Sequence, residues 1–247
     1  MPSHLASTLS ALGRIDFANV RRDSLLFSTA LGPLMMSVLY RYGLPVLAEA
    51  LETNAGFDLM AYDRLLMSFF LMMPPALVGM IVGFLLLDER DDQTLTALLV
   101  TPLPLSTYLT YRVVLPLVIG IVATLVCYPI AGLAPIAFAD LAVIAVLASV
   151  TGPITALFLV AFAENKVSGF AIVKIINLVN ILPVFAYFLD LPWQLVGGIV
   201  PGFWPMKMLW CATAGESYVG FVFAGLAVNV GILWLLLARF RARAGAW

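Results

Sequence analysis

Long apolar runs alternate with short polar connections along most of this chain. The clearest run, residues 65–87, has 23 residues and no charged side chain. A helix of that length reaches about 35 Å, enough to cross a hydrocarbon core of about 30 Å. The runs are too long and too uniform for barrel strands, so we predict helices. Six spans are predicted, at 24–42, 65–87, 113–134, 141–163, 171–189 and 219–238.

The stretch 191–210 is apolar as well, but it is interrupted. It contains Pro192, Pro201, Pro205 and the pair Gly197-Gly198. Proline removes amide donors, and an unbroken helix facing lipid would leave carbonyl groups without partners. Its tryptophans, Trp193, Trp204 and Trp210, suit the membrane interface. We therefore predict a re-entrant helical segment on the outer side, before the last span.

The N-terminal segment is predicted to be an amphipathic helix. Leu5, Leu9, Leu12 and Ile15 recur at three- and four-residue spacing, next to basic residues. Such a helix lies on the inner membrane surface, although a solvated leader is the alternative. The predicted fold class is therefore all-α: a polytopic membrane protein with a single transmembrane domain over residues 1–247.

Composition and charge agree with a membrane protein. The chain is 63% hydrophobic and 11% charged, with a mean hydropathy of +1.05. A soluble domain carries about twice that charged fraction. The cationic residues are unevenly distributed over the two sides of the six-span arrangement, which places both termini in the cytosol of a cell-membrane protein. One side holds Arg14, Arg21, Arg22, Arg90, Arg112, Lys166, Lys174, Arg239, Arg241 and Arg243, and the other holds Arg41, Arg64 and Lys207.

The chemistry of an active site is missing from the sequence. The one histidine, His4, precedes the spans, and neither a metalloprotease motif nor a phosphate-binding loop is present. We predict no catalytic residue, no metal site, no cofactor on this chain and no nucleic-acid partner. Ionisable residues are essentially absent from the middle of the predicted spans, where a proton- or sodium-coupled transporter needs them. Lys174, one turn into the fifth span, can reach back to the inner headgroups.

The inner connection at residues 88–112 is the longest charged, helix-capable interruption. Asp91 and Asp92 precede an apolar stripe formed by Leu95, Leu98 and Leu99, and Pro102 ends the predicted helix. By its physical pattern alone, the stripe is equally suited to docking in a groove and to lying on the membrane.

This connection resembles the inner-loop signature of type-2 ABC exporter permeases. The residues that carry the resemblance are Glu89-Arg90-Asp91, Thr94-Leu95, Leu98-Leu99 and Thr101-Pro102-Leu103. The resemblance implies a cytosolic coupling helix that inserts into a separate ATPase subunit. Gln93 and Thr96 depart from the family pattern, which often has Gly and Glu there. The implied coupling residues are Glu89, Arg90, Asp91, Asp92, Thr94, Leu95, Leu98, Leu99, Thr101 and Pro102.

The next inner connection resembles a subset of these permeases. The run Glu164-Asn165-Lys166-Val167-Ser168-Gly169 is similar to segments of drug exporters, including fluoroquinolone export permeases. It is interpreted either as a tight cytosolic turn or as a second ATPase contact through Glu164, Asn165 and Lys166.

Four polar residues inside the spans are candidates for lining a path. Asn177 and Asn180 are predicted to share one face of the fifth span, and Thr151 and Thr155 one face of the fourth. Groups of this kind bond between helices in lipid, or else line a translocation path.

The sequence thus predicts the permease subunit of an ATP-driven exporter of an amphipathic drug-like or lipid-like substrate. The implied partners are an ABC ATPase subunit that holds ATP and Mg²⁺, a second permease subunit, identical or paralogous, and membrane lipids. Two other classes are alternatives: a membrane-integral lipid-modifying enzyme, and a non-transporting scaffold or immunity protein.

Overall fold

The protein is a bundle of helices. The structure, a computed structural model, describes residues 2–92 and 105–244, without the side chains of 2–9, 11, 105, 243 and 244. The helices are α1 (Pro2–Arg22), α2 (Ser24–Val38), α3 (Leu44–Ala55), α4 (Asp63–Asp91), α5 (Leu105–Ala131), α6 (Phe138–Ser149), α7 (Thr151–Phe162), α8 (Lys166–Val179), α9 (Leu182–Tyr187), α10 (Phe203–Ala214) and α11 (Val219–Ala244). A π-helical turn (Leu39–Gly43) joins α2 to α3, and 3-10 turns occupy Met60–Tyr62 and Trp193–Ile199.

Five helical segments of the described chain are long and apolar enough to cross a membrane. They are Met60–Asp91, Ser106–Ala131, Phe138–Phe162, Lys166–Tyr187 and Val219–Ala242. A bent pair, Leu12–Arg22 and Ser24–Ala55, meets at 95° and supplies a sixth crossing if it is counted as one span. The predicted all-helical, polytopic membrane fold is therefore confirmed, with an N-terminal helix that turns sharply away from the first span.

The core of the bundle is formed by α4 and the α6–α7 segment. Buried residues make up 72% and 83% of the apolar windows of these two spans, against 17% for the spans that contain α8 and α11. Glycines allow α4 and α7 to cross closely, because a methyl group at Gly79 would overlap the carbonyl of Gly152. The central pair therefore holds the bundle together, and the outer helices turn apolar faces outward.

Prolines divide two of the spans. The predicted span 141–163 is two helices, because α6 ends at Ser149 and α7 begins at Thr151, just before Pro153. The predicted span 171–189 is likewise divided between α8 and α9, where Pro183 occupies the first turn of α9. In both places proline has no amide hydrogen for the helical ladder, so the helix is interrupted nearby.

The segment between Asp190 and Glu216 dips into the bundle and returns. At its deepest point the Pro201 carbonyl accepts a hydrogen bond from Nδ2 of Asn229 at 3.3 Å. Asn229 lies ten residues into α11, so this point is about 15 Å from the start of that helix. Helix α10 then runs back to Gly215, whose φ of 73° ends it. The segment therefore turns back inside the bundle, and its re-entry from the outer side of the membrane stays a prediction.

The tryptophans of this segment were expected at the membrane interface; two of them face the inside of the bundle, and their depth in a membrane stays a prediction. Trp204 and Trp210 are buried within the protein. Their indole nitrogens donate to the Gly198 carbonyl at 2.9 Å and to Oγ of Ser68 at 2.6 Å. Buried indoles need acceptors, and the bundle provides them. Lys207, also buried, donates to Oε1 of Gln194 at 2.6 Å and thereby ties α10 to the 3-10 turn Trp193–Ile199.

The glycine crossing leads to a stability prediction. Gly79→Ala should lower the free energy of unfolding by about 1–3 kcal/mol, because the added methyl forces α4 and α7 apart. Gly231→Ala is the matched control, since no atom lies within 4 Å of a methyl group there. Cys127 and Cys211 are free and buried, so the rate at which a thiol-reactive dye labels them on heating reports unfolding. Equal melting temperatures for the two variants would contradict the proposed close crossing.

The re-entrant geometry leads to a labelling prediction. In a chain lacking Cys127 and Cys211, single cysteines at Asp190 and Glu216 should both react with a membrane-impermeant thiol reagent added outside intact cells. Both positions flank the same dip, so they lie at one end of the bundle. Labelling of one from outside and of the other only after permeabilisation would mean that the segment crosses the membrane.

Candidate functional site

The strongest concentration of charged contacts surrounds the connection between α4 and α5. Helix α4 continues to Asp91, with Asp92 as its C-cap, and α5 begins at Leu105. The predicted coupling residues Thr94, Leu95, Leu98, Leu99, Thr101 and Pro102 lie outside the described residues. We call the end of the bundle at which α4 ends and α5 begins the loop end.

The expectation that Asp91 and Asp92 open a new helix is wrong for Asp91. Residues Asp88 to Asp91 form the last turn of α4, where the helix dipole disfavours acidic groups. The apolar run of the predicted span ends at residue 87, but the backbone continues as helix for one further turn. Glu89 and Arg90 hold that extra turn in place, because each of them contacts another helix, as described below.

A buried guanidinium lies at the centre of the loop end. The Arg112 side chain is 0% exposed, and its Nη1 is 2.8 Å from Oδ2 of Asp16 in α1. Its Nη2 donates to Oε1 of Glu89 in α4, and its Nε donates to the Tyr108 hydroxyl at 3.2 Å. One residue of α5 thus binds both α1 and α4. We call Asp16, Glu89, Tyr108, Tyr111 and Arg112 the arginine cluster.

The two tyrosines complete the arginine cluster. The Tyr108 hydroxyl donates to Oε2 of Glu89, and the Tyr111 hydroxyl donates to Oδ2 of Asp16 at 2.6 Å. Both rings also lie close to the guanidinium, with centroids 5.3 Å and 5.4 Å from its Cζ. Arginine presents five N–H donors in a planar fork, so a single residue can serve two carboxylates and a phenol at once. Lysine has no such geometry.

A second ionic contact joins the starts of α8 and α2 to the end of α4. Lys166 begins α8, and its Nζ is 2.8 Å from Oδ2 of Asp23 and 3.1 Å from Oδ2 of Asp88. Asp23 also caps α2 by accepting from the amides of Leu25 and Leu26. The hydrogen bond from Lys166 is the main reason that the pKa of the Asp23 carboxyl is lowered. This carboxylate therefore stabilises the fold at neutral pH, and the contribution is lost as the pH falls through the lowered pKa.

Arg90 binds the end of α7. Its Nη1 donates to the carbonyls of Ala163 at 2.9 Å and Val160 at 3.4 Å, in and beside the last turn of that helix. A cation at this position satisfies carbonyl groups that have no helical partner and complements the helix dipole. The end of α4 is thereby fixed to the end of α7.

The connection after α7 is a capped helix start. The Asn165 side chain accepts from the Ser168 amide at 3.0 Å, and Oγ of Ser168 accepts from the Asn165 amide at 3.0 Å. This reciprocal capping box begins α8 at Lys166, five residues before the predicted span. Of the three predicted contacts, Asn165 caps α8, Lys166 binds Asp23 and Asp88, and Glu164 is exposed.

The loop end is therefore a set of helix termini tied together on both sides of residues 93–104. Glu89 and Arg90 bind within the chain, and their contact with an ATPase stays a prediction. Sequence reasoning missed Asp16, Asp23, Tyr108 and the pairing role of Arg112. The sequence did contain one signal that Asp16 has a partner: it is an acidic residue next to the apolar stripe of an otherwise basic helix. An arrangement of this kind can transmit displacement of the loop to several helices at once.

Three of the four candidate path residues lie around one cavity. Thr151, Thr155 and Asn180 line a cavity of about 210 Å³ between α7, α8, α11 and the re-entrant segment. The Thr151 hydroxyl donates to the Ala148 carbonyl at 2.6 Å. Asn177 does not join them, because it is exposed on the outward side of α8. Asn177 and Asn180 were expected to share a face, but α8 turns them towards different surroundings.

A second, larger groove lies between the first two helices and the α4–α5 pair. It has a volume of about 1000 Å³ and is walled by α1, α2, α4 and α5. Asp16, Arg21 and Tyr111 lie at its loop end, and apolar side chains extend from there as far as Cys127. From Tyr111 to Cys127, α5 rises about 24 Å. A groove with charged groups at one end and apolar walls over this length matches an amphiphile such as a membrane lipid.

Comparison with known proteins gives a consistent result. The family model described as "Fluoroquinolones export permease protein Rv2686c-like" matches residues 16–237. Two curated relatives from Mycobacterium tuberculosis, the fluoroquinolones export permease proteins MT2760 (strain CDC 1551 / Oshkosh) and Rv2686c (strain ATCC 25618 / H37Rv), are each 34% identical over 240 residues. The matches cover 95% of this chain and 94% of each relative. No solved structure matches the chain.

The arginine cluster leads to a prediction about stability. Arg112→Gln should lower the free energy of unfolding by about 3 kcal/mol or more, because the buried Asp16 and the partly buried Glu89 lose their cation. Arg112→Lys should recover only part of this, since an ammonium cannot reach all three acceptors. Thermal unfolding in detergent measures the effect, with Arg21→Gln, an exposed arginine on α1, as the control. An Arg112→Gln variant as stable as the control would contradict the structural role of the cluster.

Proposed function

The chain belongs to the Rv2686c-like family of fluoroquinolone export permeases, and from this membership we propose that it is the membrane-spanning permease subunit of an ATP-driven exporter. It supplies the translocation path and a docking surface, and hydrolysis takes place on a separate chain. The five to six apolar spans and the family agree on a membrane transport subunit. The finer assignment, coupling to an ATPase, is argued from the loop end.

The observation that carries the proposal is the convergence of ionic contacts on the two ends of residues 93–104. On the α4 side, Glu89 binds the arginine cluster and Arg90 binds the end of α7. On the α5 side, Arg112 binds α1 and α4. A partner that moves the loop therefore also moves α1, α4, α5 and α7, whereas a loop without such ties would move alone. This is the mechanical property that a coupling segment needs.

The proposed partners follow from the same arrangement. An ATPase subunit that holds ATP and Mg²⁺ docks on residues 89–102, with a smaller contact at Glu164. A second permease subunit, identical or paralogous, completes the path. Membrane lipids surround the apolar faces and fill the groove that ends at Arg21. The protein resides in the cell membrane with both termini in the cytosol, which places the loop end and the ATPase on the cytosolic side.

The proposed path runs beside α7 and α8. Thr151, Thr155 and Asn180 supply hydroxyl and amide groups around an otherwise apolar cavity. Asn177 lies on the outward side of α8, where the second subunit faces it. Few polar groups among apolar walls suit an amphipathic substrate, which slides along apolar surface and needs a small number of hydrogen-bonding partners. The class of substrate is therefore an amphipathic drug-like or lipid-like molecule.

The docking segment leads to a prediction about ATPase binding. Leu95→Asp and Leu98→Asp should each abolish co-purification of the ATPase subunit and transport, because a carboxylate buried in an apolar cleft costs several kcal/mol. Ala97→Asp adds the same charge to the opposite face of the predicted helix, so it should retain the partner. Pull-down from membranes of cells that express both subunits, with efflux measured in the same cells, tests this.

Two outcomes would contradict the proposal. One is retention of the ATPase by both leucine variants at the level of the Ala97→Asp control. The other is failure of any ATPase to co-purify with the unsubstituted chain while the chain inserts correctly, which would return the choice to a membrane enzyme or a scaffold. Insertion is checked separately by the labelling of cysteines at positions 190 and 216.

A further inference from the structure

The buried apolar side chains of the described chain form two clusters. On α4, the members of the first cluster lie between residues 81 and 87, and those of the second lie between 67 and 72. On the α6–α7 span, the first cluster begins at Val150 and the second ends at Ala148. We call the part of the bundle around the first cluster the loop half, because it adjoins the loop end, and the part around the second cluster the far half.

The boundary between the two halves is a layer of proline and glycine. A methyl group at Gly152 would be 3.1 Å from the carbonyl oxygen of Pro75 in α4 and 3.5 Å from that of Pro116 in α5. A methyl group at Gly120 would be 3.3 Å from Cβ of Pro75. Gly79 meets Gly152 in the close crossing of α4 and α7 described above. We call Pro75, Gly79, Pro116, Gly120 and Gly152 the waist.

The three spans that meet at the waist have weakened helices there. Pro74 and Pro75 lie inside α4, and Pro116 lies inside α5. Each proline lacks the amide hydrogen that would bond the carbonyl four residues earlier, which allows a kink. The third span is already divided at Val150, between α6 and α7. Because the helices meet there through glycine backbone instead of interlocking side chains, a turn at this level requires little repacking.

Each half, by contrast, is held by directional contacts of its own. In the loop half, Arg112 and Arg90 bind α1, α4 and α7 together. In the far half, the Trp210 indole donates to Oγ of Ser68 at 2.6 Å and joins α10 to α4. The Tyr218 hydroxyl donates to Oδ1 of Asp140 at 2.5 Å and joins the start of the last span to α6. Two internally fixed halves are therefore connected by spans that bend most easily at their boundary.

Two buried hydroxyl groups at the waist have no hydrogen-bond partner within the part of the chain that the structure describes. They belong to Ser149 and Thr124, both of which are 0% exposed. A methyl group at Gly120 would lie 3.1 Å from Oγ of Ser149, and Thr124 follows Gly120 by one turn on the same face of α5. Buried hydroxyl groups are rarely left without partners, and an unmade hydrogen bond is costly. This cost favours a second arrangement of the waist in which the hydroxyl groups find acceptors.

We propose that the waist is a hinge on which the loop half turns against the far half. The proposal rests on the proposed function only for the force, which an ATPase docked at the loop end supplies. Residues 75 to 91 of α4 extend about 24 Å, so a kink of about 20° at the waist displaces the loop end by about 8 Å. The cavity beside α7 adjoins both halves, because Ile154 lines it on one side and Pro201 of the re-entrant segment on the other. Turning at the waist therefore changes the shape of the proposed path.

Spin labels at four exposed positions test the hinge in the chain alone. Asp92 and Arg241 belong to the loop half, and Asp190 and Glu216 to the far half. In a chain lacking Cys127 and Cys211, cysteines at two of the four positions at a time carry the labels. Double electron–electron resonance in phosphatidylcholine liposomes then measures two distances within a half and four between the halves.

The distances within a half should be narrowly distributed, because each half is fixed internally. The four distances between the halves should spread more widely, by up to about 8 Å, as the loop half turns. Equal widths for the two kinds of pair would overturn the proposal. This comparison needs no substitution at the waist, so it does not depend on whether a waist variant folds.

A proline substitution with a matched control locates the hinge. Pro116→Ala supplies the amide hydrogen that α5 lacks at the waist, so the four distributions between the halves should become narrower. Pro129→Ala makes the same change inside the same helix but in the far half, and should leave all distributions unchanged. Unchanged distributions in Pro116→Ala, or equal narrowing in both variants, would overturn the assignment of the hinge to the waist.

The last arm separates the hinge from the proposed function. The same label pairs are measured in the complex with the ATPase, without nucleotide and with ATP and vanadate. Nucleotide should shift the four distances between the halves towards one end of their range and leave the two distances within a half unchanged. Spread distances that ignore nucleotide contradict the ATP-driven exporter and support the hinge, whereas distances that stay narrow under every condition overturn the hinge.

Discussion

A guanidinium that has left water must find nearly all of its hydrogen-bond partners within the protein, and Arg112 imposes this condition on the whole loop end. Its acceptors come from α1 and α4 and from its own helix. Removing any one of these acceptors would leave a buried guanidinium N–H without a partner, so the three helices hold a common arrangement. The 95° turn between α1 and α2 is consistent with this requirement, because it brings Asp16 back over the bundle to reach Arg112.

The contacts of Arg90 and Lys166 extend the same constraint to the end of α7 and to the starts of α2 and α8. Arg90 fastens α4 to the carbonyl end of α7, and Lys166 fastens α8 to α2 and α4. Charged groups at the aqueous end of the bundle thus join helices whose membrane-embedded parts meet through apolar side chains and glycine contacts. Apolar contacts in lipid are weakly directional, whereas ionic contacts select one arrangement. In the proposed exporter, displacement of the loop is passed on through these directional contacts.

The membrane fold could be predicted closely because its signals are local. Hydrocarbon thickness determines the length of a span, and the breakers at Pro201, Pro205 and Gly197-Gly198 identify the re-entrant segment. The boundaries were less predictable. Helix α8 starts at Lys166 because Asn165 and Ser168 cap it, although the apolar pattern favours residue 171. Lys174 therefore lies eight residues into its helix, whereas the apolar pattern places it three residues into the span.

The sequence by itself determined that this is a polytopic helical membrane protein and which of its connections resembles a coupling helix, because hydrophobic length and short motifs are properties of neighbouring residues. Only the tertiary structure decided how the charges pair. Asp16 and Arg112 are separated by 96 positions, and Asp23 and Lys166 by 143, so no local pattern relates them. Exposure was decided in the same way: Asn177 and Asn180 have similar local sequence, but the packing of α7 against α8 leaves Asn180 beside a cavity and Asn177 on the surface.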